Sequence, residues 1–338
     1  MRSALQDWFL KNKRDLPWRR LASLYPTVVS EFMLQQTQVK TVLPYYDTWL
    51  NVFPGFETLA AADEAKVLKH WEGLGYYSRA RNLHKLAQEI VKLDEIPQDA
   101  EGWIQFKGVG AYTAAAITSI TFKNPIPCVD GNVIRILARL TADDTVYKDN
   151  SKAMKEFTPL AEILLDKREP GRHNEAMMEL GATLCTKANP QCDICPLSSS
   201  CRAKGIQPER FPFKVPKKVK LETVHRAWLV QDDNLLLHRA NRMSKRLSGI
   251  LELPRLTDLG IDEKTLTDNG HSPLTTKRRG ISNSQITEPI WKIAPNYMFK
   301  SHPELEWISL NALTNATLSG PHKRWIKEIL SDKQTSWL

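Results

Sequence analysis

The chain has few cysteines, no long apolar run and, over most of its length, no charge imbalance. Five cysteines in 338 residues are too few for a disulfide-built scaffold. Residues Met1 to Arg20 are amphipathic and charged, without the apolar core of a secretory signal, so a reducing cytoplasmic setting is expected. The longest charge-free stretch near the middle, Gly108 to Phe122, contains Gly and Thr and falls short of the ~20 apolar residues of a membrane span. There is no internal repeat and no low-complexity tract. With 42% apolar and 25% charged residues, disorder, collagen-like sequence and a membrane bundle are excluded. The formal charge of +9 would point to a polyanionic partner, but it is local. Residues 1–201 hold 24 basic and 24 acidic residues, residues 202–220 hold 7 against 1, and residues 221–338 hold 16 against 13. Net charge therefore says little about partners.

The length fits two domains. Residues 1–201 read mostly as helices. Apolar spacing predicts helices over Ser30–Val39, Glu64–His70, Ser78–Val91, Tyr112–Phe122 and Asn132–Leu140, separated by turns such as Phe53-Pro54-Gly55 and Gly73-Leu74-Gly75. Residues 202–220 are rich in Lys and Pro, follow neither period and read as a basic linker. From residue 221 the pattern changes to strands, at His225–Gln231, Asn234–Arg239, Ile281–Ala294 and Leu305–Leu310. A helix around His322–Leu330 closes an α+β second domain, 221–338.

Four of the five cysteines are spaced Cys185-x6-Cys192-x2-Cys195-x5-Cys201. Four thiolates within 17 residues suit one metal centre, zinc or iron–sulfur, since both favour soft sulfur ligands. Zinc ribbons usually carry two Cys-x2-Cys knuckles, and only one is present. Cys128, far upstream, reads as a packed core residue. In Lys107-Gly108-Val109-Gly110-Ala111-Tyr112 the two glycines allow a tight turn between helices whose N–H groups can hold a phosphate. Val129-Asp130-Gly131-Asn132 follows, with Asp130 at the start of a helix, where an aspartate ordinarily caps. On a helical wheel Glu31, Gln35 and Gln38 form a narrow polar stripe flanked by Val28 and Leu34. A carboxyl in such a half-apolar groove is expected to hold its proton more tightly and to serve as a general acid.

Hairpin, aspartate and cysteine loop in this order resemble the helix-hairpin-helix DNA glycosylase superfamily, and the cysteine spacing resembles the [4Fe–4S] loop of its endonuclease III-like members. Four runs are similar to the MutY-type adenine DNA glycosylases: Ser30–Val39, Leu16-Pro17-Trp18-Arg19, Gly73–Leu83 and His173-Asn174-Glu175-Ala176. The resemblance is close over residues 14–201 and loose beyond. It implies a mostly α helix-hairpin-helix domain over residues 1–201, with a [4Fe–4S] cluster on Cys185, Cys192, Cys195 and Cys201, and a C-terminal α+β Nudix-like domain that reads the lesion. The implied activity is monofunctional hydrolysis of the N-glycosidic bond of adenine opposite 8-oxoguanine or guanine in double-stranded DNA. It implies a monomer associated with the nucleoid through its DNA.

By the same resemblance Glu31 protonates N7 of adenine, Asp130 stabilises the oxocarbenium-like sugar, and Tyr112 and Asn132 orient Asp130 and the attacking water. Trp18, Arg19 and Glu175 line the adenine pocket. Gln36 and Tyr76 wedge into the duplex around the partner base, and Gln35, Thr37, Gly108, Val109 and Gly110 complete the DNA-binding set. Lys107 stands where the family usually has Pro, and His173 where it commonly has Phe. In the second domain Leu235–Arg239 and Ser248–Pro254 are similar to the first strands of the Nudix-like domain, but no Glu-rich helix follows to hold magnesium. The lesion-reading serine is expected at Ser282, with Ser301 as rival. Two other readings remain at this point: a bifunctional glycosylase/AP lyase, which would need a Lys at the position of Tyr112, and a non-catalytic, metal-stabilised DNA-binding protein.

Overall fold

A computed structural model describes residues 1–21, 23–213, 215, 219–241, 248–281, 283–295, 299 and 302–332. The chain divides into two compact units, one of Met1–Ala62 with Asn82–Pro216, the other of Asp63–Arg81 with Lys217–Leu338. No described helix is long and apolar enough to cross a membrane.

The first unit is helical. Its central helix, Gly131–Thr141, starts where the Asp130 side chain accepts from the backbone N–H groups of Asn132 and Val133, and ends on a left-handed Ala142. The helix buries Val133, Ile134, Ile136, Leu137, Ala138 and Leu140, which pack with Leu180, Met177 and Ala176 of the helix Pro170–Thr183 and with Phe157 and Ala161 of Asn150–Leu164. Leu5 and Phe9 of the helix Arg2–Asn12 close the same core. Gly181 permits the close approach: a Cβ there would fall 2.7 Å from Cβ of Asn132.

The helix expected over Ser30–Val39 is two helices, Leu24–Leu34 and Val39–Val52. Gln36 takes a left-handed φ of +55° and breaks the run. The polar stripe of Glu31, Gln35 and Gln38 therefore does not exist on one helix face. The helix Leu24–Leu34 is instead buried nearly all round, from Tyr25 to Met33. The first half of the basic segment is not a free tether. Arg202 and Ala203 donate their N–H groups to Leu140 and Arg139, Phe211 is buried, and Tyr147 donates to the carbonyl of Phe213.

The second unit holds two four-stranded sheets. In one, β7 (Ser284–Lys292) pairs antiparallel with β6 (Thr275–Ile281) and parallel with β1 (Lys220–Thr223) and β2 (Arg226–Trp228). In the other, β4 (Asn234–Arg239) pairs antiparallel with β3 (Val230–Gln231), β5 (Leu251–Glu252) and β8 (Leu305–Ser309). The single strand expected over His225–Gln231 thus changes sheet at Leu229. Alternation along β4 sends Leu235 and Leu237 into one core, covered by Trp325, Ile326 and Ile329 of the helix Gly320–Ser331, and Leu236 into another with Leu229, Leu256 and Trp291. After β5 comes a 3₁₀ turn at Leu256–Leu259 and a short helix, Glu263–Asp268.

Candidate active site

A cleft in the first unit is lined by Trp18, Arg19, Glu31, Thr37, Tyr112, Asp130, Asn132 and Glu175, with Arg14, Met178 and Glu179 also in its wall. Residues far apart in sequence meet because four helix segments converge there. Glu31 comes from the buried helix Leu24–Leu34, Tyr112 from the first turn of Ala111–Thr121, Asp130 from a helix start, and Glu175 from Pro170–Thr183.

Glu31 is 8% exposed. Burial pushes its carboxyl from 4.5 up to about 8, helped by the negative charges of Glu175 and Asp130. It is thus mostly protonated at neutral pH. Asp130 is held differently. Its Oδ1 accepts from the backbone N–H groups of Asn132 (2.9 Å) and Val133 (2.8 Å), and its Oδ2 accepts from Asn132 Nδ2 at 2.9 Å. Three donors thus converge on its two oxygens at the helix N-terminus. One cleft therefore presents a neutral acid and a hydrogen-bonded carboxylate.

Asn132 is fixed in turn. Arg135 Nη2 donates to Asn132 Oδ1 (2.9 Å) and to the Gly181 carbonyl (2.8 Å), and Arg135 Nε to the Cys185 carbonyl (2.8 Å). Tyr112 lines the cleft, and its hydroxyl donates to Met178 Sδ at 3.4 Å. Burial, with the charges of Glu31, Cys128 and Asp130, raises the phenol well above its ordinary value. Arg19 donates to Glu175 (3.1 Å), to Glu179 (2.9 Å) and to the Arg14 carbonyl (3.1 Å). Burial raises the Glu175 carboxyl against the opposing pull of Arg19. Glu179, fully buried, also takes two bonds from the Arg14 guanidinium, 2.7 and 2.9 Å. Burial alone would raise its pKa, but the bonds from Arg14 and the charge of Arg19 hold it below the ordinary value. Arg14, Arg135 and Glu179 were not picked out in the sequence, where Glu175 and Glu179, one helical turn apart, were the available signal.

His173 does not enter this cleft. It faces a separate apolar space with Leu5, Leu140 and Met177, where burial depresses its imidazole to about 4. Asn174 is structural, accepting from the Cys128 N–H and donating to Ser119 and the Ile126 carbonyl.

At the hairpin Gly108 has φ +92°, and a Cβ there would lie 2.6 Å from Asn82 Nδ2, so no other residue fits. Val109 is buried, while Lys107 and Gly110 are exposed, and Gly110 precedes the helix Ala111–Thr121. Gln35 braces the turn from outside the cleft, its amide donating to Thr113 Oγ1 (3.2 Å) and to the Gly108 carbonyl (3.4 Å). Gln36 is exposed on the first unit. Tyr76, 51% exposed, belongs to the second unit. Ser282 and Ser301 lie outside the described residues.

Cys185, Cys192, Cys195 and Cys201 are free thiols lining one small cavity together with Arg139, Leu184 and Lys204. Arg139 Nη1 donates to Cys185 Sγ at 3.3 Å and to the Thr186 carbonyl at 2.8 Å, and Nε donates to the Pro208 carbonyl at 2.8 Å. Among the described residues no three His, Cys, Asp or Glu side chains are drawn around a point for a single ion. An all-thiol donor set around a cavity, with a guanidinium against one sulfur, fits a polynuclear iron–sulfur group.

Residues 29–162 match the HhH-GPD superfamily of base excision DNA repair proteins. The fold is similar to that of a thermostable thymine-DNA glycosylase, with a TM-score of 0.52 at 24% identity, covering 60% of this chain and 94% of that one. The chain is 39% identical over 201 residues to the adenine DNA glycosylase of Mycolicibacterium smegmatis, covering 59% of this chain and 67% of that protein. It is 42% identical over 249 residues to the adenine DNA glycosylase of Arabidopsis thaliana, covering 65% of this chain and 39% of that protein. The chain belongs to the adenine DNA glycosylase family. It spans about two-fifths of the length of several longer relatives that it matches.

Proposed function

We propose that the chain is a monofunctional adenine DNA glycosylase that removes adenine mispaired with 8-oxoguanine or guanine from double-stranded DNA. One observation carries the reading: Glu31, with a carboxyl at about 8, shares its cleft with Asp130, whose carboxylate takes three hydrogen bonds. The extruded adenine enters beside Trp18, Arg19 and Glu175. Glu31 gives its proton to N7, and the electrons of the breaking C1′–N9 bond leave with the now neutral base. Asp130 stabilises the resulting sugar cation, directly or as a covalent ester, as a second carboxylate does in glycoside cleavage. Water then adds at C1′ and gives its proton to the carboxylate left on Glu31, which restores the acid. Asn132 keeps Asp130 aimed at the sugar.

The hairpin Gly108–Gly110 takes a backbone phosphate through its N–H groups, and Gln35 and Thr37 support this contact region. Gln36 and Tyr76 wedge into the duplex around the partner base. The four cysteines hold a [4Fe–4S] cluster, which supplies a cross-link for the loop between Cys185 and Cys201. Arg139 and Arg135 fasten that loop to the helix that begins at Asp130. Four irons per chain are expected, and stoichiometric zinc without iron would overturn the cluster. The second unit is read as a Nudix-like recognition domain without hydrolase chemistry, since no long acidic helix follows β5. Its lesion contact is assigned to Ser282.

The test is adenine release by Glu31→Gln under single-turnover conditions. Binding of the mispaired duplex persists, while excision falls by ~10²-fold or more, because an amide cannot donate that proton. Release within threefold of the unaltered enzyme would sink the assignment. Tyr112 stands where a lyase needs Lys, so borohydride during turnover traps little covalent complex. Efficient trapping would move the chain to the bifunctional class.

A further inference from the structure

Tyr76 is an exposed ring on a backbone that resists it. Its φ of +49° is left-handed, and Gly73 (+110°) and Gly75 (+69°) precede it. Such a conformation at a bulky residue persists only where surrounding contacts over-determine it. Inside the turn those contacts are visible. Trp71 Nε1 donates to the Gly75 carbonyl at 3.0 Å. Arg79 Nη2 donates to the carbonyls of Leu74 (3.2 Å) and Gly75 (3.1 Å). The Arg79 guanidinium, itself buried, lies 5.4 Å from the centroids of both the Trp71 and Tyr76 rings.

The outer frame of the turn comes from about 240 residues further along the chain. The Leu318 N–H donates to Glu72 Oε1 at 2.8 Å, and the Tyr77 hydroxyl donates to the Leu318 carbonyl at 2.8 Å. Both bonds are buried, and they fall on the two residues that bracket Gly73–Tyr76. Glu72 Oε2 is paired with Lys69 (3.1 Å) and Lys323, and Lys69 Nζ donates to the Ala316 carbonyl at 2.8 Å. Leu318 is no loose end, since it bridges Leu251 of β5 and the next residue, Ser319, donates to the Leu251 carbonyl at 3.0 Å. Asp63–Arg81 accordingly belongs to the same compact unit as the sheets.

We propose that Leu318 is a clamp on the Tyr76 turn, with Glu72 and Tyr77 as positioning residues that set the ring for stacking on a base. This rests on the reading of Tyr76 as a base-stacking residue. In consequence the sheet-bearing unit that inspects the partner base and the ring that wedges beside it are one body. Removing residues 221–338 loosens the wedge as well as deleting the lesion reader.

The experiment uses the full chain and a duplex with adenine opposite 8-oxoguanine and 2-aminopurine beside the 8-oxoguanine. Stopped-flow fluorescence reports unstacking on binding, and amide hydrogen exchange of residues 73–77 is measured in the free protein. Tyr77→Phe removes one hydroxyl without changing ring size. It and Glu72→Ala each speed exchange in the turn about threefold to tenfold, the worth of one hydrogen bond, and lower the fluorescence rise. Glu72→Gln keeps an acceptor for the Leu318 N–H and restores both signals. In Tyr77→Phe adenine release at saturating enzyme stays within twofold. Unchanged exchange in Tyr77→Phe, or no rescue by Glu72→Gln, overturns the clamp. Tyr76→Ala separates the two ideas. If it abolishes the rise while Tyr77→Phe and Glu72→Ala behave as the unaltered enzyme, the clamp is wrong. If Tyr76→Ala leaves the rise intact, the stacking reading itself fails and the clamp falls with it.

Discussion

Substituting Glu31 by Gln should make the protein more stable while disabling it. A carboxyl at 4.5 in the unfolded chain and about 8 in the folded one binds its proton more tightly when folded. The folded state therefore loses ground as pH rises from about 4.5 to 8, where the unfolded chain ionises freely and the buried group cannot. The associated stability is fully present below the unfolded value and is gone once pH passes the folded one. At ~1.4 kcal/mol per tenfold, the penalty is roughly 3 kcal/mol at pH 7 and on the order of 5 kcal/mol above pH 8. An amide carries no such penalty. The advantage of Glu31→Gln should grow by ~1.4 kcal/mol per pH unit between about pH 5 and 8 and then level off. Denaturant midpoints of both proteins, taken at fixed ionic strength across that range, read it directly. A stability difference that stays constant with pH would refute the buried-acid argument, even if the variant is inactive.

Two further substitutions probe the frame around the acid. Gly108→Ala must place a Cβ at φ +92° and 2.6 Å from Asn82, so at least about 1–2 kcal/mol of stability should be lost and duplex binding weakened. Equal affinity and midpoint would mean that the hairpin relaxes freely. Glu179→Ala leaves Arg14 and Arg19 facing each other without their shared carboxylate, which should cost about 3–5 kcal/mol. A midpoint change below ~1 kcal/mol would show that these guanidinium groups reach water instead.

Local pattern sufficed where local forces decide the structure. The helix Glu64–His70 and the strand Asn234–Arg239 have the bounds their periodicity predicts. Asp130 reads as a cap and is one, and the cysteine spacing survives as a single cavity lining. Pattern failed where one backbone angle or a distant partner decides. Nothing in Ser30–Val39 announces that Gln36 turns left-handed, so Glu31 looked like part of an amphipathic face. It sits instead on a helix that is buried from Tyr25 to Met33. The Tyr112 hydroxyl meets Met178 because the helix Pro170–Thr183 brings a sulfur to it, a contact no local pattern announces. Glu179 drew no notice in the sequence and is the buried hub of two arginines. The allegiance of Asp63–Arg81 to the sheet-bearing unit rests on bonds to Leu318, a separation no window of sequence can span.

A protonated Glu31 delivers its proton in the cleft, and the pH dependence of single-turnover adenine release at saturating enzyme tests this most directly. With the carboxyl at about 8, the rate should hold level through neutral pH and fall about tenfold per unit above pH 8, as the fraction of acid declines. A falling limb that begins near pH 5, or a rate that does not fall up to pH 9.5, would contradict it.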